Sequence, residues 1–301
     1  MAPPVRSNGP GASLCRDPRF SLERRRMDET SRRWIAQHPF LEGVAAFHDA
    51  VEAAVAKAAL PAVAPPSGDG WKEDLARGLP LLLSEKAGLA TSPALAEAVA
   101  KLAFELARSP LPEALKEKAA TLKDHLAQPA TRAALVAALI GDGEPPTDVD
   151  PGFARFVAWT AMAHALAPAL RALEGVRDDD AWNAGSCPTC GSGPAMSQLV
   201  PNEVGRKRVL GCGQCRTRWT YRRIACAHCG NHDATKLAVM ELEGEPALRL
   251  DVCEECKGYV KTYTEVGEEP LMLADWSSLH LDVLAKEKGY VRKGASLYEL
   301  E

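Results

Sequence analysis

Apolar residues recur at helical spacing through the first half of the chain. Between residues 31 and 175 the sequence is rich in Ala and Leu and poor in β-branched residues, which is typical of helices. Ser92 and Pro93 provide a helix start signal. The apolar face that follows is formed by Leu95, Val99, Leu102 and Leu106. A later segment, residues 151–170, is apolar around much of its circumference, so we expect it at the centre of a helical bundle.

The pattern changes after residue 180. From Cys187 to about Thr264, β-branched and aromatic residues alternate with polar ones, which predicts short strands. Residues 275–288 return to helical spacing, and Gly289 provides a stop signal. The sequence therefore predicts an α+β fold, with an N-terminal helical bundle domain, two tandem rubredoxin-like or zinc-ribbon four-cysteine modules and a short C-terminal helix. The expected units are a disordered or loosely ordered tail at 1–28, a helical domain at 29–180, modules at 181–223 and 224–265, and a C-terminal helical extension at 266–301.

Composition limits the class of protein. The chain has 301 residues, a hydrophobic fraction of 46%, a charged fraction of 25% and a net charge of −4, as in ordinary globular proteins. No uncharged apolar run reaches the roughly 18 residues of a membrane helix, because the longest candidate contains His164 and Pro168. The N-terminus lacks the apolar core of a secretory signal. We therefore expect a cytoplasmic protein with no membrane partner.

Cysteine spacing gives the most specific signal. Eight of the nine cysteines form four Cys-x-x-Cys pairs, and Cys15 lies apart in the expected tail. Four thiolates suit one tetrahedral Zn or Fe ion, so the chain is expected to bind two metal ions. The simplest grouping is sequential, although an interleaved grouping is open. The candidate ligands are Cys187, Cys190, Cys212 and Cys215 for one ion and Cys226, Cys229, Cys253 and Cys256 for the other.

The role of these sites has several interpretations. Modules of about 40 residues bury too little apolar surface to fold alone, so bound metal can simply stabilise them. Redox chemistry, sulfur transfer or dithiol–disulfide exchange at the thiolates are the alternatives. His228 and His232 flank the third pair and are interpreted as neighbours of the metal, since four cysteines complete each site. The histidines at 38, 48, 125 and 164 share no ligand spacing and are interpreted as surface or core residues.

Basic residues concentrate in the first module. Seven of them lie between Cys187 and Arg223, interleaved with Trp219 and Tyr221, and Glu203 is the one acid in that stretch. They could neutralise a thiolate site, bind a protein surface or bind nucleic acid. The sequence contains no phosphate-binding glycine loop and no His-Glu-x-x-His motif. We therefore expect a protein without catalytic residues, and a nucleic-acid binder is the less favoured alternative.

At these motifs the chain resembles the formate dehydrogenase accessory protein family, FdhE. The resemblance covers about a third of the chain. It is carried by Cys187-Pro-Thr-Cys190-Gly, Gly211-Cys212-Gly-Gln-Cys215, Trp219, Cys226-Ala-His-Cys229-Gly, Asp251-Val-Cys253-Glu-Glu-Cys256-Lys-Gly-Tyr259-Val-Lys261, Asp275, Ser278-Leu279-His280-Leu281-Asp282 and Lys288-Gly289-Tyr290.

The resemblance implies a cytoplasmic maturation factor needed for formate dehydrogenase activity. It further implies contact with the catalytic subunit of that enzyme before export, and it favours iron over zinc at the cysteines. A redox-active or sulfur-transfer protein using the iron sites is the alternative. The sequence leaves a homodimer open.

Overall fold

The computed structural model describes residues 29–298 except residues 142 and 204. The expected tail at 1–28, with Cys15, lies outside the described residues. The expected α+β fold with two four-cysteine regions is confirmed. Residues 29–37 are helical and are called α1. The other helices of the N-terminal half are α2 (Glu42–Ala58), α3 (Gly70–Ala76), α4 (Pro93–Leu106), α5 (Glu113–Leu126), α6 (Pro129–Ile140), α7 (Pro151–Leu173) and α8 (Asp179–Trp182).

Helix α7 is the central helix of this domain. It packs against α4, α5 and α6, and the four residues that define the apolar face of α4 are all buried. Asp150 caps the start of α7, where its Oδ1 accepts a hydrogen bond from the backbone N–H of Phe153 at 2.8 Å. By length and composition alone α7 would be able to cross a membrane, contrary to the sequence expectation. However, 61% of its most apolar stretch is buried, as in a core helix.

Seven strands form one mixed sheet. They are β1 (Pro194–Asn202), β2 (Gly205–Cys212), β3 (Arg218–Tyr221), β4 (Leu237–Glu241), β5 (Leu248–Cys253), β6 (Gly258–Tyr263) and β7 (Val291–Arg292). Their order is β3-β2-β1-β6-β5-β4, and β7 pairs with β6. Each module contributes three antiparallel strands, and the modules join where β1 runs parallel to β6 with Met196 opposite Lys261. The two cysteine modules thus share a single sheet.

The hydrophobic core crosses the expected domain limits. One cluster of buried residues joins the helical domain to the first module, where it includes Leu210 and Trp219. A second cluster joins β5 and β6 to the C-terminal segment through Leu248, Leu250 and Leu281. The expected domain boundaries at residues 180, 223 and 265 therefore stay predictions of where separate folding units begin and end.

The C-terminal segment covers one face of the second module. It contains α9 (Glu269–Met272), a 3-10 turn (Asp275–Ser278) and α10 (Leu279–Glu287). Gly289 follows with φ of +81°, which matches its expected role as a stop after the helix.

Four charged side chains meet between β6, β7 and this C-terminal segment, two of them buried and two partly buried. Lys261 is 0% exposed, and its Nζ lies 2.6 Å from Asp275 Oδ1 and 2.8 Å from Asp282 Oδ2. Arg292 pairs with the same two carboxylates, at 2.6 and 2.7 Å. Although burial opposes ionisation of Asp275, Lys261 and Arg292 hold the pKa of that carboxyl well below its usual range. The network balances two cations against two carboxylates, and it ties the C-terminal segment to the strand at the junction of the modules.

Replacing Lys261 by Met is expected to destabilise the protein by about 3–5 kcal/mol, because it leaves one buried and one partly buried carboxylate short of a cation. The measurement is the free energy of unfolding of the metal-loaded protein in urea. Lys207→Met is the control, since Lys207 is exposed on β2 and its loss should change stability by less than about 0.5 kcal/mol. Equal stabilities of the two variants would contradict the role assigned to Lys261.

Candidate metal centres

The first cluster brings together the two cysteine pairs of the first module. Cys187 and Cys190 lie in the turn before β1, while Cys212 ends β2 and Cys215 lies in the turn before β3. The Sγ atoms of Cys187 and Cys215 are 3.5 Å apart, and those of Cys190 and Cys212 are 3.4 Å apart. All four Sγ atoms lie within 4.8 Å of one another.

The second cluster repeats this arrangement in the second module. Cys226 and Cys229 precede β4, Cys253 ends β5, and Cys256 lies in the turn before β6. The Sγ separations are 3.7 Å for Cys226–Cys256 and 3.8 Å for Cys229–Cys253. The grouping of the eight cysteines is therefore the sequential one.

These separations fit four sulfur ligands around one ion. A tetrahedron with metal–sulfur bonds of 2.3 Å has an edge of about 3.8 Å, close to the observed distances. A disulfide needs sulfurs about 2.05 Å apart, so none of the eight described cysteines is in a disulfide. Either cluster could hold one Zn or Fe ion.

The backbone at all four Cys-x-x-Cys turns has the same conformation. The residue directly after the second cysteine has a positive φ in every turn, which lets the backbone bend around sulfur. Two of the turns have glycine at this position, which adopts a positive φ readily, whereas the other two hold charged residues in the same left-handed region. The four residues are Gly191 (+84°), Arg216 (+60°), Gly230 (+74°) and Lys257 (+55°).

Backbone N–H groups point at the sulfur atoms. Thr189 N donates to Cys187 Sγ at 3.4 Å, and His228 N donates to Cys226 Sγ at 3.4 Å. Gly258 N donates in the same way to Cys256 Sγ at 3.4 Å. Hydrogen bonds of this kind favour the thiolate, which is the form that binds metal.

The thiols of the second cluster differ in acidity. Burial raises the pKa of Cys226 to about 12. Burial also opposes ionisation of Cys253, but backbone N–H groups of Cys256 and Glu255 lower its pKa to about 7. Two neighbouring thiols of such different acidity do not both ionise at neutral pH by themselves. A cation would favour the thiolate form throughout the cluster, and its binding would release protons.

The two clusters differ in exposure to solvent. In the first, Cys187 and Cys215 are fully buried, and the helical domain covers the turn that holds Cys187. Leu81 N donates to Pro188 O at 2.9 Å, and Leu82 N donates to Thr189 O at 2.8 Å. In the second cluster Cys229 is exposed. The first site is therefore enclosed, while the second is open to solvent on one side.

Several residues that the sequence associated with these sites lie in other surroundings than expected. Trp219 and Tyr221 are buried, so the expected surface strip of basic and aromatic residues has no aromatic members. Trp219 Nε1 donates to Ala184 O at 3.0 Å, which fixes it in the core. His228 Nε2 lies 3.0 Å from Tyr259 O and does not point at the sulfurs, and His232 is exposed.

One group of potential ligands was missed by sequence reasoning. His38, Glu245 and His280 bring three ligand atoms within 4.8 Å of one another. They are far apart along the chain and show no motif spacing, so no pattern in a single sequence indicates that they meet.

The fold and its clusters define a class of protein. The chain has a helical domain joined through a shared core to tandem four-cysteine modules, each able to hold one metal ion. Residues 224–298 match the family model of the FdhE C-terminal domain. That segment contains the whole second cluster, and the resemblance to FdhE proteins is confirmed.

Individual relatives support the same likeness. An FdhE homolog of Pseudomonas aeruginosa is 38% identical over 119 residues, which is 37% of this chain and 38% of that protein. An FdhE homolog of Haemophilus influenzae is 32% identical over 141 residues, covering 45% of this chain and 46% of the other. The chain thus spans less than half the length of these relatives. The crystal structure of the FdhE protein from Pseudomonas aeruginosa aligns with a TM-score of 0.58 and 25% identity, covering 79% of this chain and 80% of that one.

The difference in exposure predicts the order of metal release. A chelator in excess is expected to remove the ion from the second cluster in a fast phase, because Cys229 is open to solvent. The ion of the enclosed first cluster is expected to leave in a slow phase. The rates of the fast and the slow phase are measured by following the absorbance of a colorimetric chelator over time.

Variants assign the two phases. Cys226→Ser/Cys229→Ser should abolish the fast phase and keep the slow one, and Cys187→Ser/Cys190→Ser should do the reverse. Fast release from the first cluster would contradict the enclosure seen in the structure.

Proposed function

We propose that this protein is a cytoplasmic accessory factor required for formate dehydrogenase activity, and that it binds the catalytic subunit of that enzyme without catalysing a reaction itself. The observation that carries the proposal is the match of residues 224–298 to the FdhE C-terminal domain. The likeness of the whole fold to an FdhE crystal structure supports it. In this function the eight cysteines hold two metal ions, with iron favoured by the resemblance and zinc as the other candidate.

The chemistry of the clusters supports a scaffold role. Catalytic zinc sites keep one coordination position open, whereas structural sites are closed by four protein ligands. Here each cluster supplies four sulfurs within 4.8 Å of one another. A metal held in this way would fix two turns of the chain and the strands that leave them.

The link between the two modules offers a surface for the client. Arg222, Arg223 and Ile224 are exposed there, and the side chain of Ile224 is 64% exposed. Arg206 and Lys207 on β2 are also exposed. They lie near this link because the next residue on β2, Arg208, pairs with Tyr221, which directly precedes Arg222. An exposed apolar side chain among cations suits a partner surface with an apolar contact and acidic residues around it.

A second candidate function is electron or sulfur transfer at the second cluster. The observation that favours it is the exposure of Cys229, because reactive thiolates need access to a partner. With iron bound, such a protein would change its visible absorption reversibly on reduction and reoxidation.

The proposed function is tested by complementation. In a host that lacks its own FdhE protein, this chain is expected to restore formate dehydrogenase activity. The variant Arg222→Ala/Arg223→Ala/Ile224→Ser should restore clearly less activity at equal protein level and metal content, because it removes the proposed contact surface. Lys116→Ala/Lys123→Ala, on α5, is the matched control and should behave as the unchanged chain. Failure of the unchanged, metal-loaded chain to restore activity would contradict the accessory role.

The redox alternative has its own measurement. The protein is purified without oxygen, loaded with iron, and reduced and reoxidised while its visible spectrum is followed. The scaffold proposal expects Cys229→Ser to lower activity in the complementation host only as far as it lowers metal content. Loss of activity at full metal content, together with a reversible spectrum in the unchanged chain, would favour electron transfer.

A further inference from the structure

A cluster of nitrogen and oxygen ligands lies apart from both cysteine clusters. His38 Nε2 is 3.0 Å from Glu245 Oε1, and His280 Nε2 is 2.9 Å from Glu245 Oε2. The three residues come from separate parts of the chain: the residue before the 3-10 turn Pro39–Leu41, the connection between β4 and β5, and α10. Two imidazoles therefore converge on one carboxylate.

Both ring nitrogens of His38 face hydrogen-bond acceptors, so a neutral ring can donate to only one of them. Its Nδ1 lies 2.9 Å from Trp34 O, while its Nε2 faces Glu245. Both neighbours are acceptors, and a neutral imidazole carries a single N–H. A cation at Nε2 would resolve this, with Nδ1–H donating to the Trp34 carbonyl. Histidines that bind metals commonly have such an outer partner. A proton on Nε2 would resolve it as well, so the two explanations need an experiment.

His280 is oriented in the same way. Its ring stacks on that of His38, with centroids 5.1 Å apart and planes 23° apart. Its Nδ1 is buried and has no hydrogen-bond partner among the described residues. Nε2 either donates to Glu245 as the N–H tautomer or binds a metal through its lone pair, and in the second case the ring N–H lies on Nδ1.

The cluster is largely screened from water. The side chains of His38, Glu245 and His280 are 10%, 16% and 18% exposed. Beside His280 lies a shallow cavity of about 330 Å³, lined by Phe40, Leu41, Val44, Leu279 and Val283. The cavity leaves an approach to the cluster from solvent.

We propose that His38, Glu245 and His280 form a third metal site, for a divalent first-row cation such as Zn²⁺. Two imidazole nitrogens and one carboxylate oxygen are ligands that suit zinc, and three protein ligands leave a fourth position for water. The site lacks thiolate, so its metal preference differs from that of the cysteine clusters. A bound ion would join the N-terminal helical segment, the β4–β5 connection and α10.

The experiment uses the full chain with both cysteine clusters already filled with Zn²⁺. Co²⁺ is then added, and binding is followed by equilibrium dialysis and visible absorption. One further equivalent is expected to bind, with visible cobalt bands but without the sulfur-to-cobalt charge-transfer band of thiolate sites. The zinc content of the cysteine clusters should stay unchanged.

Variants place the additional ion. Glu245→Gln and His280→Gln each keep a side chain able to hydrogen-bond and are expected to weaken Co²⁺ binding by at least about tenfold. His125→Gln is the matched control, since His125 is a surface histidine paired with a single carboxylate, Asp148, at 2.9 Å. It should bind Co²⁺ as the unchanged chain does. Retained zinc in all variants shows that they fold.

Two results would overturn the proposal. One is an unchanged chain that takes up no Co²⁺ beyond the two filled clusters, in which case a proton and hydrogen bonds alone hold the three side chains together. The other is a third ion that binds equally well to Glu245→Gln and His280→Gln, which would place it elsewhere.

Discussion

Mutual repulsion among closely placed thiolates is the constraint on which the C-terminal half of this protein depends. Two unit charges about 4 Å apart repel by about 4 kcal/mol at an effective dielectric constant of 20. The sulfurs in each cluster are 3.4–3.8 Å apart along their closest pairs. Four thiolates at such distances require a cation among them, and without it most of the sulfurs must stay protonated. Metal binding by these clusters would therefore be linked to folding of the cysteine modules.

The single sheet links the two clusters to each other. Because β1 and β6 pair in parallel, the turns at Cys187–Cys190 and Cys253–Cys256 lead into adjacent strands. Lys261 lies at this junction, opposite Met196, and its ion pairs connect the sheet to the C-terminal segment. The two clusters are thus connected through paired strands and through the ion pairs of Lys261.

Local patterns in the sequence predicted most of the elements and the grouping of ligands. Helix α4 follows from the spacing of its leucines, and the Cys-x-x-Cys pairs predict the turns of the candidate metal sites, because these signals involve residues close together along the chain. Long-range pairing was not predictable in this way. The parallel contact of β1 with β6, the burial of Trp219 and the meeting of His38 with Glu245 and His280 depend on tertiary packing. Arg216 and Lys257 also adopt the left-handed conformation without the glycine that would have indicated it.

The two cysteine modules have similar sequences but different surroundings. The edge of the first module is covered, since Arg177 donates to Arg218 O at 2.7 Å and Asp179 accepts from Thr220 N at 3.3 Å. In the second module β4 is an edge strand of the sheet, and its residues Ala238 and Val239 are exposed. The same module carries the exposed Cys229. Two similar modules thus have different surroundings: the first joins the sheet to the helical domain, and the second exposes one side of its four-cysteine cluster to solvent.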